Sequence, residues 1–420
     1  MAISLKNEKL TVLHVATLNQ PISPDLAYGP IETVTYNIDK GLHSSGHRSI
    51  VACSGDSEVA GEHYVTVDKS IGDYWSDNTH EKRKTANMHL SNALYRAGMG
   101  DIDIIHTHDA KAVEFMYDSV FRMNIPIVMT LHVSAEDSSL GGDYQRWCSS
   151  LLSSPLVYCA AISEYQKRQY SDLVNAENVV YHGIDVEEYP LKEEPDKGSY
   201  LFTIGRVTPD KGQDKAIEIA KRTGLKLIIA GCVQNKPDDR EFFAGLKNSI
   251  DLFVEVGQNP VYNDYYNWVI KPLLDSDKQI IYIGEISAEH KKHWYRHARA
   301  TIFPIQWGEP FGLVLVESMA CGTPVIAFNK GAVPEIVVDG KTGFVVDSMN
   351  AMIEAVDRID SIDPRECRKH VQDHFSITSM AAKYSELYHQ IIGSHNKSDR
   401  YIGSLTGHPL KPLPTGTRAA

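Results

Sequence analysis

Two acids, Glu309 and Glu317, flank a Phe-Gly pair in Gly308-Glu-Pro-Phe-Gly-Leu-Val-Leu-Val-Glu317. A strand should end near Pro304, and the apolar run after Phe311–Gly312 reads as the opening of a helix. Such an opening offers unpaired N–H groups and the positive end of the helix dipole to an anion, and Gly312 lets a ligand approach the backbone. At about 1.5 Å per residue, Glu317 lies some 8–9 Å further along, so the two acids can address different parts of one long ligand. In Gly205-Arg-Val-Thr-Pro-Asp-Lys-Gly212 a second loop follows a strand pattern and opens a helix. Arg206 can grip phosphate oxygens as a fork and Lys211 adds a mobile point charge, a combination suited to a diphosphate. Met129-Thr-Leu-His132 places an imidazole at the carboxyl end of a strand, where doubly wound sheets put their ligands. His106 and His108, in Ile-Ile-His-Thr-His-Asp, close another strand.

Each pattern has an ordinary reading when seen alone. Glu309 and Glu317 would be a solvated loop acid and a helix surface residue, Arg206 and Lys211 a solvated turn, and His132 a capped or packed histidine. Glu335, after Val-Pro, either opens a helix as an N-terminal acid or faces a cleft. Ser163 in Ala-Ile-Ser-Glu-Tyr reads as a helix cap. Glu81-Lys-Arg-Lys84 reads as a solvated helix face, with an anionic acceptor or lipid head group as the alternative contact. No spacing of carboxylates and histidines demands a metal.

The elements that must carry these residues follow from the rest of the chain. At 420 residues the protein exceeds what one core usually fills, so two domains and a cleft are expected. With 42 basic and 54 acidic residues the net charge is -12, which repels phosphate backbones and excludes nucleic acid as the expected partner. No apolar run is long enough to span a membrane and Leu10–Leu18 reads as a buried strand rather than a leader, so a cytoplasmic protein with no integral membrane segment is expected. The 6 cysteines are scattered without a C-x-x-C pair, which suggests reduced thiols.

Short apolar runs alternate with amphipathic stretches, the pattern of parallel strands joined by crossover helices in an α/β fold. Strands are expected at Thr11–Ala16, Ser49–Cys53, Asp103–His106, Ile125–Leu131, Leu156–Ala161 and Val179–His182 in a first Rossmann-like domain over residues 1–190. A polar, proline-containing linker, Glu187–Gly198, follows. The second Rossmann-like domain, 198–376, should use Tyr200–Ile204, Leu227–Ala230, Ile280–Ile283, Ala300–Pro304 and Val325–Phe328. A helix over 377–393 should pack back on the first domain, and 394–420 should form a disordered tail.

At these positions the sequence resembles the retaining glycosyltransferases of family 4 with the GT-B fold, relatives of glycogen synthase and sucrose-phosphate synthase. The resemblance rests on the acidic pair, on Ala320-Cys-Gly-Thr-Pro-Val-Ile-Ala327, Gly331-Ala-Val-Pro-Glu335 and Gly340-Lys-Thr-Gly-Phe344, and on the G-R-x-x-x-x-K-G loop. It is strong over 199–232 and 279–347 and looser before 185. Two departures stand out. Where the family has Tyr-Gly-Gly-Ile-Glu, this chain has Pro30 after Gly29, which removes an N–H at that point. Between Cys232 and Ile270 it carries extra residues that could be a lid, an oligomer contact or a decorated loop.

The resemblance implies two Rossmann-like domains across a cleft and transfer of a hexosyl unit from a nucleoside-diphosphate sugar, a UDP-sugar favoured, to a hydroxyl of a soluble small-molecule or saccharide acceptor. It implies that Arg206, Lys211 and the amides near Gly312 and Leu313 surround the diphosphate, that Glu317 holds the ribose, and that Glu309 and His132 orient the hexose. Phe311, Gly29 and, through backbone, Ile286 are expected on the donor side, with Pro30, His108 and Glu335 as contacts of undecided kind. Retention with the leaving phosphate as base needs neither a side-chain nucleophile nor a metal, and no cofactor beyond the co-substrate is expected. A homo-oligomer is compatible with the sequence. A Rossmann oxidoreductase would need a G-x-G-x-x-G after the first strand, which is missing. A GT-B phosphorylase or epimerase, or a non-catalytic nucleotide-sugar-binding module, would share the fold and cleft.

Overall fold

The computed structural model describes residues 8–26, 29–72, 79–135, 156–174, 176, 178–192, 200–257, 260–261 and 264–406. Two sheets of 7 strands each organise them. The first contains β1 (Thr11–Val15), β2 (Arg48–Ser54), β3 (Glu62–Val67), β4 (Ile104–Thr107), β5 (Ile127–Thr130), β6 (Val157–Ala161) and β7 (Asn178–Val179), ordered β3-β2-β1-β4-β5-β6-β7. The second contains β8 (Leu201–Ile204), β9 (Leu227–Ala230), β10 (Leu252–Phe253), β11 (Ile280–Tyr282), β12 (Ala300–Phe303), β13 (Val325–Phe328) and β14 (Gly343–Val346), ordered β10-β11-β9-β8-β12-β13-β14. Every pairing is parallel. The central strands are short apolar runs because helices cover both their faces.

These are two doubly wound units, the α/β arrangement of two Rossmann-like domains expected from the sequence. In each, the strand order reverses beside the first strand, at β1/β4 and at β8/β12, and ligands of such sheets bind beyond the carboxyl ends at that point. The loops that follow β8 and β12 carry Arg206 and Lys211, and Glu309. Those that follow β4 and β5 carry His108 and His132.

Strands β3, β10 and β14 lie outside the expected set. All three are edge strands; β3 needs no buried apolar run, with Glu62 exposed and Val65 52% exposed, and β10 has only two residues, whereas β14 is a short apolar run that buries Phe344. The extra residues after Cys232 form the helix Pro237–Leu246, the two-residue edge strand β10, which extends the second sheet, and the π-helical turn Tyr266–Ile270. Tyr262 lies outside the described residues.

The expected linker is anchored where it begins. Arg368 Nη1 donates to the carbonyl of Tyr189, and buried Lys192 donates from Nζ to the carbonyl of Ala298 at 2.6 Å. Residues 193–199 lie outside the described set. The last helix, Ile377–Thr406, runs through the first thirteen residues of the expected tail, so that part is helical rather than disordered; 407–420 are not described. Its Met380, Tyr384, Leu387, Tyr388 and Ile391 pack with Leu10, Val12, Val34, Ile38 and Val128 of the first domain. Among the described residues no helix is long and apolar enough to cross a membrane. Cys53 and Cys367 are buried and unpaired, and burial pushes both thiols up to about 12. Cys148 is not described.

Candidate active site

The two loops at the switch point of the second sheet meet through an ion pair. Lys211 Nζ lies 2.6 Å from Glu309 Oε2, with both side chains mostly shielded, and 5.5 Å from the centre of the Trp307 ring. Arg206 donates from Nη1 to Gln234 Oε1 at 3.2 Å, and its carbonyl accepts from Gln213 Nε2 at 2.8 Å. Gln213 Oε1, Thr208 Oγ1 and Trp307 Nε1 are buried without a hydrogen-bond partner. Glu309 is set by the chain that returns past it. Ala332 N donates to the Glu309 carbonyl at 2.8 Å, and a Cβ on Gly331, at φ 62, would stand 2.3 Å from Glu309 N and O. Only glycine lets the two segments touch.

Helix Leu313–Ala320 begins at Gly312, whose φ of 93 lies in the left-handed region. The Phe311 ring is 2% exposed and packs near His182, Tyr181 and Phe375, with ring centres 5.0, 6.2 and 6.0 Å away, so at this position the backbone is what remains for a ligand. Ile286 is likewise buried in the core.

Glu317, one helix face further on, is buried and already engaged. Lys291 Nζ lies 2.5 Å from its Oε1, and Tyr295 donates its hydroxyl to Oε2 at 3.0 Å. Tyr189 donates to Oε1 at 3.4 Å. Burial, and then the neighbouring Glu317 charge, hold the Tyr189 and Tyr295 hydroxyls well above the ordinary tyrosine value, so both remain donors.

Across the cleft the first domain presents imidazoles rather than ions. His14 on β1 pairs in register with His106 on β4, and their rings are 5.4 Å apart. The series continues from His106 to His108 at 4.6 Å, to His132 at 5.0 Å, and to His182, stacked on His132 at 5.4 Å. His132 is the partly exposed member; the others are buried. Burial lowers His14 and His132 to about 4, with the charge of Asp39 opposing it for His14. It lowers His106, His108 and His182 further, their imidazole neighbours adding to the effect. The cluster is neutral near pH 7.

Ring nitrogens of His14, His106 and His108 lie within 4.8 Å of one another, a spacing open to a metal. The donor set fits one poorly. His106 spends Nε2 on Thr130 Oγ1 and Nδ1 on the Tyr388 hydroxyl, both at 2.8 Å, and no carboxylate belongs to the group to offset a buried dication.

Two contacts tie the domains together beside this site. Glu335 accepts from the backbone N–H groups of Glu164 at 2.7 Å and Tyr165 at 2.6 Å, so it caps a helix of the other domain, Glu164–Tyr170, rather than merely opening its own. Ser163 caps the same helix through Gln166 N and donates its hydroxyl to the Pro310 carbonyl at 2.6 Å, next to Glu309.

Of the residues singled out in the sequence, Lys211 and Glu309 are in direct contact, as are His108 and His132. Glu335 sits at the domain junction, and Gly29 and Pro30 begin the helix Pro30–Ser44. The charged cluster Glu81–Lys84 opens the helix His80–Ala97, and Glu81, Arg83 and Lys84 are exposed. Tyr28 is not described. Lys291 and Tyr295 escaped notice, although their i, i+4 spacing puts them on one helix face. His14 and His182 carried no local signal, and buried Glu32, which accepts from Thr17 Oγ1 at 2.7 Å, is the acid that closes the Gly29-Pro-Ile-Glu32 loop.

Comparison with known proteins accounts for both halves. Residues 186–370 match the family described as Glycosyl transferases group 1, and residues 29–188 match Glycosyltransferase Family 4. A putative glycosyltransferase of Bacillus subtilis is 27% identical over 264 residues, covering 56% of this chain and 61% of that protein. A phosphatidyl-myo-inositol mannosyltransferase of Mycobacterium tuberculosis is 25% identical, over 59% of this chain and 60% of its own length. The match thus spans about three fifths of these two relatives. Sucrose-phosphate synthase from Thermosynechococcus elongatus superposes with a TM-score of 0.67 at 18% identity, covering 91% of this chain and all of that one. An Anabaena protein solved with UDP and glucose gives 0.65 at 16% identity, covering 90% and 99%. At these identities the structural likeness speaks for the GT-B fold.

Proposed function

The chain belongs to the family 4 glycosyltransferases of the GT-B fold, and from that membership we propose that it transfers a hexosyl unit from a nucleoside-diphosphate sugar to an acceptor hydroxyl with retained anomeric configuration. The observation that carries this reading is the Lys211–Glu309 pair beside Arg206, at the switch point of the second sheet and across from His132. Arg206, Lys211 and the N–H groups at the start of helix Leu313–Ala320 surround the diphosphate. Glu317 receives the ribose, exchanging part of its contact with Lys291 for ribose hydroxyls. Glu309 and His132 orient the hexose.

The bond between C1 and the β-phosphate oxygen breaks as the acceptor oxygen bonds to C1 on the same face, and the acceptor proton passes to a leaving-group oxygen. The protein supplies position and charge. Arg206 and Lys211 neutralise the departing diphosphate, which assigns no task to a metal. A UDP-sugar is the favoured donor, supported by the Anabaena neighbour that was solved with UDP and glucose. A soluble acceptor is the simplest reading of this cleft, although relatives include enzymes named for inositol phosphate and for a phosphatidylinositol lipid.

Thermal shift against UDP, GDP and ADP, followed by their hexose conjugates, tests the donor site. A nucleotide at 100 times its Kd should stabilise the protein by about 2.7 kcal/mol. Product analysis with the donor so identified should show a retained anomeric centre. An inverted product or a trapped glycosyl-enzyme would refute the mechanism.

A further inference from the structure

His108 does not reach the cleft surface. It lies behind His132, 5% exposed, with its Nδ1 at 2.8 Å from His132 Nε2. Two neutral imidazoles at that distance share one proton between the facing nitrogens, so one ring donates and the other accepts. Which is which decides the other ring nitrogen of His132, Nδ1, which has no hydrogen-bond partner among the described residues. A neutral imidazole carries a single N–H. If Nε2 accepts, Nδ1 must be the donor; if Nε2 donates, Nδ1 is a bare acceptor.

The second nitrogen of His108 settles the direction. Nε2 of His108 is buried and has no partner. A buried N–H without an acceptor is the costlier orphan, whereas a nitrogen lone pair without a donor is tolerated better. The proton of His108 therefore belongs on Nδ1, pointing at His132. The ring has little freedom to do otherwise. Its neighbour on β4, His106, is fixed on both nitrogens by Thr130 and Tyr388, and Thr130 Oγ1 lies 2.7 Å from the Tyr384 hydroxyl. The last helix thus braces the strand from which His108 extends. On its other side His132 is stacked against His182, whose ring meets Phe311 of the acidic loop at 5.0 Å.

We infer that His108 is a positioning residue: by donating from Nδ1 to His132 Nε2 it holds His132 in the tautomer protonated on Nδ1, so that the cleft imidazole is a neutral hydrogen-bond donor. This rests on the assignment of His132 to the hexose side of the cleft. Its ligand class is then an oxygen acceptor, a sugar hydroxyl or the glycosidic phosphate oxygen. In water the opposite tautomer, protonated on Nε2, is the commoner form of a histidine side chain, so His108 acts against the intrinsic preference of its partner. Burial, which keeps both rings uncharged near pH 7, makes the tautomer matter, because no second proton is present to make both nitrogens donors.

The test is 15N–1H correlation spectroscopy of the full chain labelled in its imidazoles, with the His132 signals identified by their loss in His132→Gln. In the unmodified protein His132 should show a protonated Nδ1 and a bare Nε2. His108→Asn, whose amide keeps an N–H donor at the position of Nδ1, should preserve that pattern. His108→Leu should release His132 to the Nε2–H form. Turnover should follow the tautomer, with kcat reduced about tenfold in His108→Leu, the worth of one hydrogen bond, and largely retained in His108→Asn.

A His132 protonated on Nε2 in the unmodified protein would overturn the inference, as would equal loss of kcat in His108→Asn and His108→Leu with both folded. Should His108→Leu fail to fold, the unmodified protein and His108→Asn still decide the matter. The spectra need no sugar donor. A protein with the expected tautomer and no transferase activity would refute the proposed reaction alone, and an active protein with the opposite tautomer would refute this inference alone.

Discussion

On the second-domain side of the cleft the charged groups are held in pairs, Lys211 with Glu309 at 2.6 Å and Lys291 with Glu317 at 2.5 Å. On the first-domain side they are imidazoles whose burial keeps them uncharged. The contrast follows the charge that a nucleoside-diphosphate sugar would bring. Its diphosphate requires compensation, and paired ions can be redistributed to meet it. Its hexose is uncharged and gains from fixed donors and acceptors, which a neutral, packed array provides without attracting the wrong end of the ligand. On the proposed reading the first domain contributes only neutral groups to orientation, whereas the second supplies the charges that neutralise the diphosphate and, in Glu309, an acid beside the hexose.

The sharpest way to break this division is through Glu309. Glu309→Ala should lower kcat by about 10²–10³-fold while leaving nucleotide affinity largely intact, whereas Arg206→Ala should damage both. Steady-state kinetics with nucleotide titration checks the pair; a Glu309→Ala enzyme as fast as the parent would remove the acid from the mechanism. Next in size is the second ion pair. Glu317→Ala leaves Lys291 mostly buried without its counter-ion and should cost about 3 kcal/mol in urea unfolding, with Glu317→Ala/Lys291→Met recovering part of it. If the double variant is no more stable than the single one, the pair is not what holds the acid.

A gentler perturbation acts on the other domain. Burial lowers His14 and His132 to about 4 in the folded protein, against an ordinary 6.5. The unfolded chain then binds more protons between those values, so the stability these groups contribute is complete above pH 6.5 and is lost as the pH falls towards 4. Thermal unfolding should move gradually to lower temperature over that window. Among the described residues the second domain holds fewer such groups, burial lowering His297 to about 4 and also lowering His293 and His370. Hydrogen exchange resolved by segment should therefore show the first domain loosening before the second, and the reverse order would contradict the contrast drawn above.

Much of this was legible from sequence, for reasons that differ by residue. The central strands announce themselves because burial on both faces demands continuous apolar runs such as Leu227–Ala230. Strand β3, Glu-His-Tyr-Val-Thr-Val, is half exposed and has no such run, and β10 is too short to have one. Glu309, Arg206 and Lys211 could be placed at strand ends from sequence because glycine-bounded loops carry them there. Lys291 could not be assigned to Glu317 from spacing, since the two stand on different helices. The capping of helix Glu164–Tyr170 by Glu335 joins positions far apart in the chain, so sequence left the residue open between a helix-opening acid and a cleft contact.

The last helix has a consequence for biogenesis. The apolar face formed by Leu10, Val12, Val34, Ile38, Leu42, Ile104 and Val128 is covered by Met380, Tyr384, Leu387 and Tyr388. A ribosome makes the first of these groups before the second domain and the other after it. The domain translated first is therefore the last to be sealed, and its nascent sheet must wait, greasy side open, while the entire second domain is synthesised and can fold around a core drawn mostly from its own residues.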